Sequence, residues 1–397
     1  MDFRFSEAEE SYREEARAWI LANIPPSWNR DEHLDFAEDS DSYDLIRDWH
    51  RALFDAGYVG VTWPKEYGGQ GRSHVENAIL QEELVRTGAP PTVNGLGIGL
   101  CGPAILHHGT EAQRRRFLRP MLRADELWCQ GYSEPGSGSD LASLRTRAER
   151  RGDAWIVTGQ KIWTSAGHRA DWIFCLVRTE PNAPKHQGIG FLLIDMRSKG
   201  IEVRPLVQMT GAHGFSEVFF TEVEVPGENM VGEPAGGWEV ANTVLGHERG
   251  ASTLSRYSMY KRDFDSVVAL ARRTRGASGR VSDNPVARQR IAQAAIEVEI
   301  LRLSSLRQLT ALAQGRQPGP ESSIQKLYYS EMGARLMALA NDLTGVFGQL
   351  ARRSPWAPDA GRWGQRELAS RGPLIFAGTN EIQRNIIAQK VLGLPRS

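Results

Sequence analysis

The chain has 397 residues, 41% of them hydrophobic and 24% charged, which exceeds one simple core and calls for two or three domains of an ordinary folded protein. Its 48 basic and 48 acidic side chains cancel, so no broad field holds nucleic acid or an acidic membrane, and a basic run such as Arg114-Arg115-Arg116 reads as a solvated helix face. Cys101, Cys129 and Cys175 are odd in number and widely spaced, giving neither a disulfide framework nor a CxxC metal site.

Residues 1 to about 125 carry helical signals. Ser6 and Glu9 form a capping box, and Tyr12, Ala16, Trp19 and Ile20 follow as a helical stripe. The stretch Met1 to Glu10 is polar and acidic, unlike a secretory signal, and no apolar run approaches the ~18 residues a membrane span needs. The expectation is a cytoplasmic protein without membrane insertion. Leu45, Trp49 and Leu53 mark a second helix that stops near Gly57; Glu76 to Thr87 a third; and a Gly-rich helix runs through Gly95 to His107. From Leu127 to about Val231 the segments are short and rich in Val, Ile, Phe, Trp and Thr: AWIVTG, DWIFCLVRT, GIGFLLID, IEVRPL and EVFFTEVEV. They read as strands of a small β-barrel or sandwich. The helical period returns from Gly237, with helices expected near 238–275, 285–315 and 321–350 and a last one after Asn380. The chain is therefore α+β, divided into 1–126 helical, 127–233 β and 234–397 helical.

Two segments carry chemistry. GYSEPGSGSD (131–140) puts glycines and hydroxyls where helix gives way to sheet, so backbone N–H groups, Ser133 and Ser139 can approach an electron-rich ligand. GQKIWTSAG (159–167) places Trp163 and Ser165 at alternating strand positions, an aromatic plane beside a hydroxyl. Gly97, Gly99 and Gly102 have dinucleotide-fingerprint spacing, but Pro90 and Pro91 precede them where a strand is required, so they read as a close-packed helix. Glu82-Glu83 and His107-His108 lack the spacing of a metal site.

Together these segments resemble the flavin signatures of the acyl-CoA dehydrogenase family. GYVGVTWPKEYGGQG (57–71), EELVRTGAP (82–90) and FAGTNEIQR (376–384) extend the likeness over nearly the whole chain. The resemblance implies FAD, with Tyr132, Ser133, Gly138 and Ser139 along the cofactor, Trp163 over the flavin, and Ser165, where the family usually has Thr, bonding to it. Gly378, Thr379 and Glu381 fall on further FAD positions, and Ser139, Arg249 and Ala377 on substrate positions. Familiar members carry a catalytic glutamate two residues before the tail-loop threonine; here Ala377 stands there. Glu248, in VLGHERGAS (244–252), matches members that supply the base from a helix as a Glu-Arg pair. On that helix it shares the apolar face of Ala241, Val244 and Leu245.

The implied reaction is α,β-dehydrogenation of an acyl-CoA, with Glu248 as base and electron-transfer flavoprotein as acceptor. The implied assembly is a homotetramer or homodimer, a heterotetramer being open. One departure stands out: the Arg-x-x-Phe-Gly…Gln stretch that touches FAD across a subunit boundary in many members reads RRTRGASGRVSDNPVARQR (272–290) here, leaving Arg273, Arg275 or Arg288 as substitutes. Two alternatives remain open at this stage: a flavin-dependent monooxygenase of the same fold, and one subunit of a heteromeric dehydrogenase. The four glycines between Gly95 and Gly102 suggest room for a wide acyl group.

Overall fold

A computed structural model describes residues 4–28, 40–250, 253–276, 279–316 and 319–395, with side chains described at these positions except 40, 41, 247–250 and 253. The chain forms two compact units: Ala18–Asn77 with Gly88–Glu248, and Met1–Arg17 with Ala78–Thr87 and Arg249–Ser397. No helix among the described residues is long and apolar enough to cross a membrane.

Helices come first in the chain, those at Glu7–Asn23 and His74–Arg86 each contributing residues to both units. Helix α1 (Glu7–Asn23) starts at the expected box, Ser6 N–H donating to Glu9 Oε2 at 2.7 Å and Glu9 N–H to Ser6 Oγ at 3.3 Å. In α2 (Ser40–Asp55), the expected Trp49 and Leu53 are buried together with Ile46 and His50, while Leu45 is only half-buried. A third helix, α3 (His74–Arg86), is followed by α4 (Gly102–His108) and α5 (Glu111–Leu122), the last capped by Thr110.

Seven strands form one sheet: β1 (Trp128–Gly131), β2 (Arg147–Arg151), β3 (Ala154–Ser165), β4 (Trp172–Arg178), β5 (Ile189–Asp195), β6 (Ile201–Leu206) and β7 (Phe215–Pro226). Their order is β1-β4-β2-β3-β7-β6, with β5 paired to β4. All five expected strands are present; β1 and β2 are additional. Residues of β1 to β5 and β7 converge on one core that includes Cys129, Val157, Ile173, Leu192, Val218 and Phe220. In this core β4 and β5 are buried at six consecutive positions each, whereas β7 alternates between buried and more exposed residues over much of its length.

The C-terminal helices are α6 (Gly237–Gly250), α7 (Thr253–Arg273), α8 (Pro285–Ala313), α9 (Ser322–Asp342), α10 (Arg362–Ala369) and α11 (Asn380–Ile386). The stretch expected as a helix over 238–275 is helical over Gly237–Gly250 and Thr253–Arg273, residues 251 and 252 lying outside the described ones, and α9 ends at Asp342, shortly before Gly345–Gln349 tighten into a 3₁₀ turn. Helices α7, α8, α9 and α10 share a core of Val267, Leu270, Ala294, Leu336, Met337 and Trp363.

Candidate active site

Strand β1 feeds straight into the loop 131–140, and the loop is tied to β3 rather than hanging free. Tyr132 is buried with its ring edge-on to Phe174 and Phe191 at 5.9 and 6.5 Å, so its aromatic group anchors the loop in the core. The next carbonyl, Ser133 O, accepts the Ile162 N–H at 2.9 Å. Glu134 then accepts from the Arg145 and Thr146 amides at 2.6 and 2.9 Å and from Lys161 Nζ at 2.8 Å. Lys161 is fully buried and also donates to Tyr132 O at 3.1 Å. Burial pushes the Glu134 carboxyl upward, but Lys161 and the two amides outweigh it and hold the group below its usual range. Thr146 comes so close to β3 that a Cβ on Gly159 would lie 2.6 Å from its Cα, which is why glycine opens that motif.

Beyond this clamp the loop is open. A Cβ on Gly136 or Gly138 would meet nothing within 4 Å. The hydroxyls of Ser133 and Ser139 have no protein partner among the described residues. On β3 the ladder to β7 breaks: Lys161 pairs with Val218 and the next pair is Thr164 with Ser216, a bulge. Trp163 sits in that bulge at φ 60, a left-handed conformation that costs a non-glycine residue about 1 kcal/mol. Its ring is 58% exposed and meets Phe215 edge-on at 6.0 Å. Thr164 is fully buried, Trp163 exposed and Ser165 half-buried; the left-handed bulge at Trp163 interrupts the strand alternation on which their expected shared face rested. The Ser165 hydroxyl is likewise unpartnered among the described residues.

Helix α6 is seated in the same unit. A Cβ on Gly237 would fall 2.5 Å from Gly190 C, so α6 starts in backbone contact with β5. Val240, Ala241 and Val244 are buried, and His108 Nε2 meets Thr243 Oγ1 at 2.8 Å, joining α6 to α4. Glu248 lies on the α6 backbone; its side chain and that of Arg249 fall outside the described residues.

The tail loop belongs to the other unit. Ala377 and Gly378 are both left-handed, at φ 57 and 84. Buried Gln383 holds them by donating to both carbonyls at 3.0 Å, and Thr379 caps α11 by accepting the Ile382 N–H at 3.3 Å. Asn380 is buried and accepts from Lys326 Nζ at 2.8 Å. The Ala377 N–H has no partner among the described residues. Glu381 is exposed; its own amide and the Thr379 hydroxyl bond its carboxylate and keep it ionised, with Arg384 at 3.7 Å. Lys161, Glu134 and Gln383 all lie inside the motifs read from sequence, yet their partners are set by folding and gave no local signal.

The chemistry of these donors can be tested against a flavin. An uncovered aromatic plane, a neighbouring hydroxyl and a loop of open glycines and free hydroxyls suit a planar heterocycle with a polar tail. Family models for the acyl-CoA dehydrogenase N-terminal, middle and C-terminal domains match residues 6–125, 129–223 and 235–392. Acyl-CoA dehydrogenase IpdE1 of Mycobacterium tuberculosis is 39% identical over 98% of each chain. The chain belongs to the acyl-CoA dehydrogenase family. The Tcur3481–Tcur3483 steroid ACAD superposes with a TM-score of 0.87 at 32% identity, covering 100% of both chains. The ChsE4–ChsE5 complex of M. tuberculosis matches with a TM-score of 0.86 at 33% identity over the full length of both. As a member, this acyl-CoA dehydrogenase is an FAD-dependent oxidoreductase acting on CH–CH groups in lipid metabolism.

Two further regions of the dehydrogenase resolve questions left by its sequence. Gly97 and Gly102 are packing glycines, a Cβ on Gly102 falling 2.0 Å from the Trp63 ring, whereas Gly95 and Gly99 face open space. The run 97–101 is a π-helical turn and no dinucleotide fingerprint. In the 272–290 region, Arg273 is engaged by both oxygens of Asp359, and Arg290 bonds Asp342 at 2.7 Å. These residues, with Arg275 and Arg280, line a cavity of about 790 Å³. No group of three or more His, Cys, Asp or Glu that could hold a metal occurs among the described residues.

Proposed function

We propose that this dehydrogenase oxidises the CoA thioester of a bulky, polycyclic acid, with Glu248 as the base that takes the α proton. The observation that carries the base assignment is the tail loop itself. Ala377 offers a free N–H but only a methyl side chain, and the nearest carboxylate in sequence, Glu381, is exposed and already hydrogen-bonded. A proton acceptor must then come from elsewhere, and Glu248 on α6 is the candidate the sequence supplies.

The residue roles follow the family resemblance. Bound FAD would supply the two-electron acceptor for the β hydrogen. Trp163 would hold it through its aromatic plane and Ser165 through its hydroxyl, with Tyr132, Ser133, Gly138 and Ser139, and Gly378, Thr379 and Glu381 of the tail loop, as its further contacts. The Ala377 N–H donates to the thioester oxygen, where charge develops as the α proton leaves. Ser139 and Arg249 bind the substrate. Residues 1–126, 127–233 and 234–397 act as the three functional segments. Support for a wide substrate comes from the steroid ACAD named above and from the open faces of Gly95 and Gly99. Paired names in two of the structural neighbours favour a heterotetramer with a second family chain over a homotetramer or homodimer. Electron-transfer flavoprotein is the proposed acceptor, and the cytoplasm the proposed compartment.

The test is an anaerobic titration of the yellow protein, alone and with its partner chain, against straight-chain, branched and steroid-derived acyl-CoAs. The proposal expects steroid-derived thioesters to bleach the flavin fastest. Bleaching by straight chains alone would overturn the substrate assignment while leaving the reaction class intact.

A further inference from the structure

A buried ion pair is a poor way to gain stability, since a well-packed apolar pair of the same volume does as well or better. Lys161 and Glu134 are nevertheless both buried and paired at 2.8 Å, and they sit at the point where the flavin loop meets the flavin strand. Lys161 is the last residue of β3 to pair with β7 before the bulge. Past it, Ile162 turns its N–H to Ser133 O at 2.9 Å instead of to β7. The bulge, the left-handed Trp163 and the clamped loop are therefore one construction: the strand breaks its ladder to bond the loop, and the Lys161–Glu134 pair holds the joint. The pair bonds three backbone groups, Tyr132 O and the Arg145 and Thr146 amides, and the Ile162 N–H beside it holds a fourth, Ser133 O.

We propose that Lys161 and Glu134 are positioning residues of the flavin site, setting the distance between the Ser133–Ser139 loop and the Trp163–Ser165 strand so that both engage FAD at once. The inference rests on the FAD reading above. It makes a claim that stability alone does not: loop-strand geometry and FAD affinity are linked, so each must favour the other.

The double variant Lys161→Met with Glu134→Gln removes the charges together and so avoids an orphaned buried ion. Its FAD affinity is measured by fluorescence titration of FAD-stripped protein, at a temperature where circular dichroism shows the protein folded. The expected result is binding weakened roughly tenfold or more, with a changed visible flavin spectrum. A folded double variant that binds FAD within about twofold of wild type would overturn the proposal. A second measurement needs no variant: amide exchange of wild type with and without FAD. Slower exchange at Ile162, Arg145 and Thr146 on adding FAD supports the clamp, and unchanged exchange there contradicts it. Wild-type protein that takes up no FAD at all overturns the flavin reading itself, and the clamp's role with it.

Discussion

Trp163 is strained and exposed at once, and neither property helps the fold. An aromatic residue in the left-handed region and 58% exposed fits the proposed role of Trp163 at the flavin, where a ligand would repay the cost. Trp163→Ala should therefore leave thermal stability almost unchanged while weakening FAD by roughly threefold to tenfold, read by fluorescence titration of the stripped protein. A large drop in stability with unaltered FAD affinity would make Trp163 a structural residue instead. That Trp163 and Ser165 lie on one strand was legible, because a β-rich run is a local property. The bulge that interrupts their alternation was not, since nothing in QKIWTS announces a left-handed tryptophan. Nor was the Glu134–Lys161 bond, whose partners stand 27 positions apart. Ala377 teaches the same lesson from the other side: its missing carboxylate is plain in the sequence, whereas its φ of 57 and the Gln383 bonds that hold it are not.

At the scale of elements, the helix that carries Glu248 depends on how α6 meets β5. Gly237 allows backbone contact with Gly190, and even one methyl there must push α6 outward. Gly237→Ala should cost about 1 to 3 kcal/mol of stability, as overpacking does, and should slow turnover by displacing α6. Urea denaturation with parallel steady-state kinetics checks both; full activity in a destabilised variant would uncouple α6 placement from catalysis. The five longer strands of the sheet were readable from their β-branched and aromatic content between turns, β4 and β5 being buried along almost their whole length. Strand β1 is only four residues, and β2, RAERR, buries just Ala148, so neither offers an apolar pattern. Helix α10 was hidden by the Pro358-to-Gly361 break before it, where Asp359 and Ala360 are both left-handed.

At the scale of the whole molecule, the balanced charge and mixed composition pointed to a folded globular protein, and the helical–β–helical order narrowed the fold. His50 adds a property that composition hides. Burial pushes its pKa down to about 4, its Nε2 meets Leu122 O at 2.8 Å, and its Nδ1 has no partner among the described residues. The unfolded chain takes up this proton below about pH 6.5 while the folded chain declines it until about pH 4, so stability is lost as pH falls through that window. The loss approaches roughly 3 kcal/mol at its acid end. His50→Gln should flatten that part of the stability–pH curve, measured by denaturant midpoints from pH 7 to 4; an unchanged slope would assign the acid sensitivity to other groups.

The assignment of the base decides the mechanism, and one experiment addresses it directly. Wild type and Glu248→Gln, each loaded with FAD, are mixed without oxygen with the acyl-CoA that best bleaches the wild type. The account predicts that both bind flavin and substrate, and that only the wild type loses its visible flavin band, with bleaching in the variant slowed by at least roughly 10³-fold. Bleaching of Glu248→Gln at near-wild-type rate would place the proton acceptor elsewhere and contradict the account.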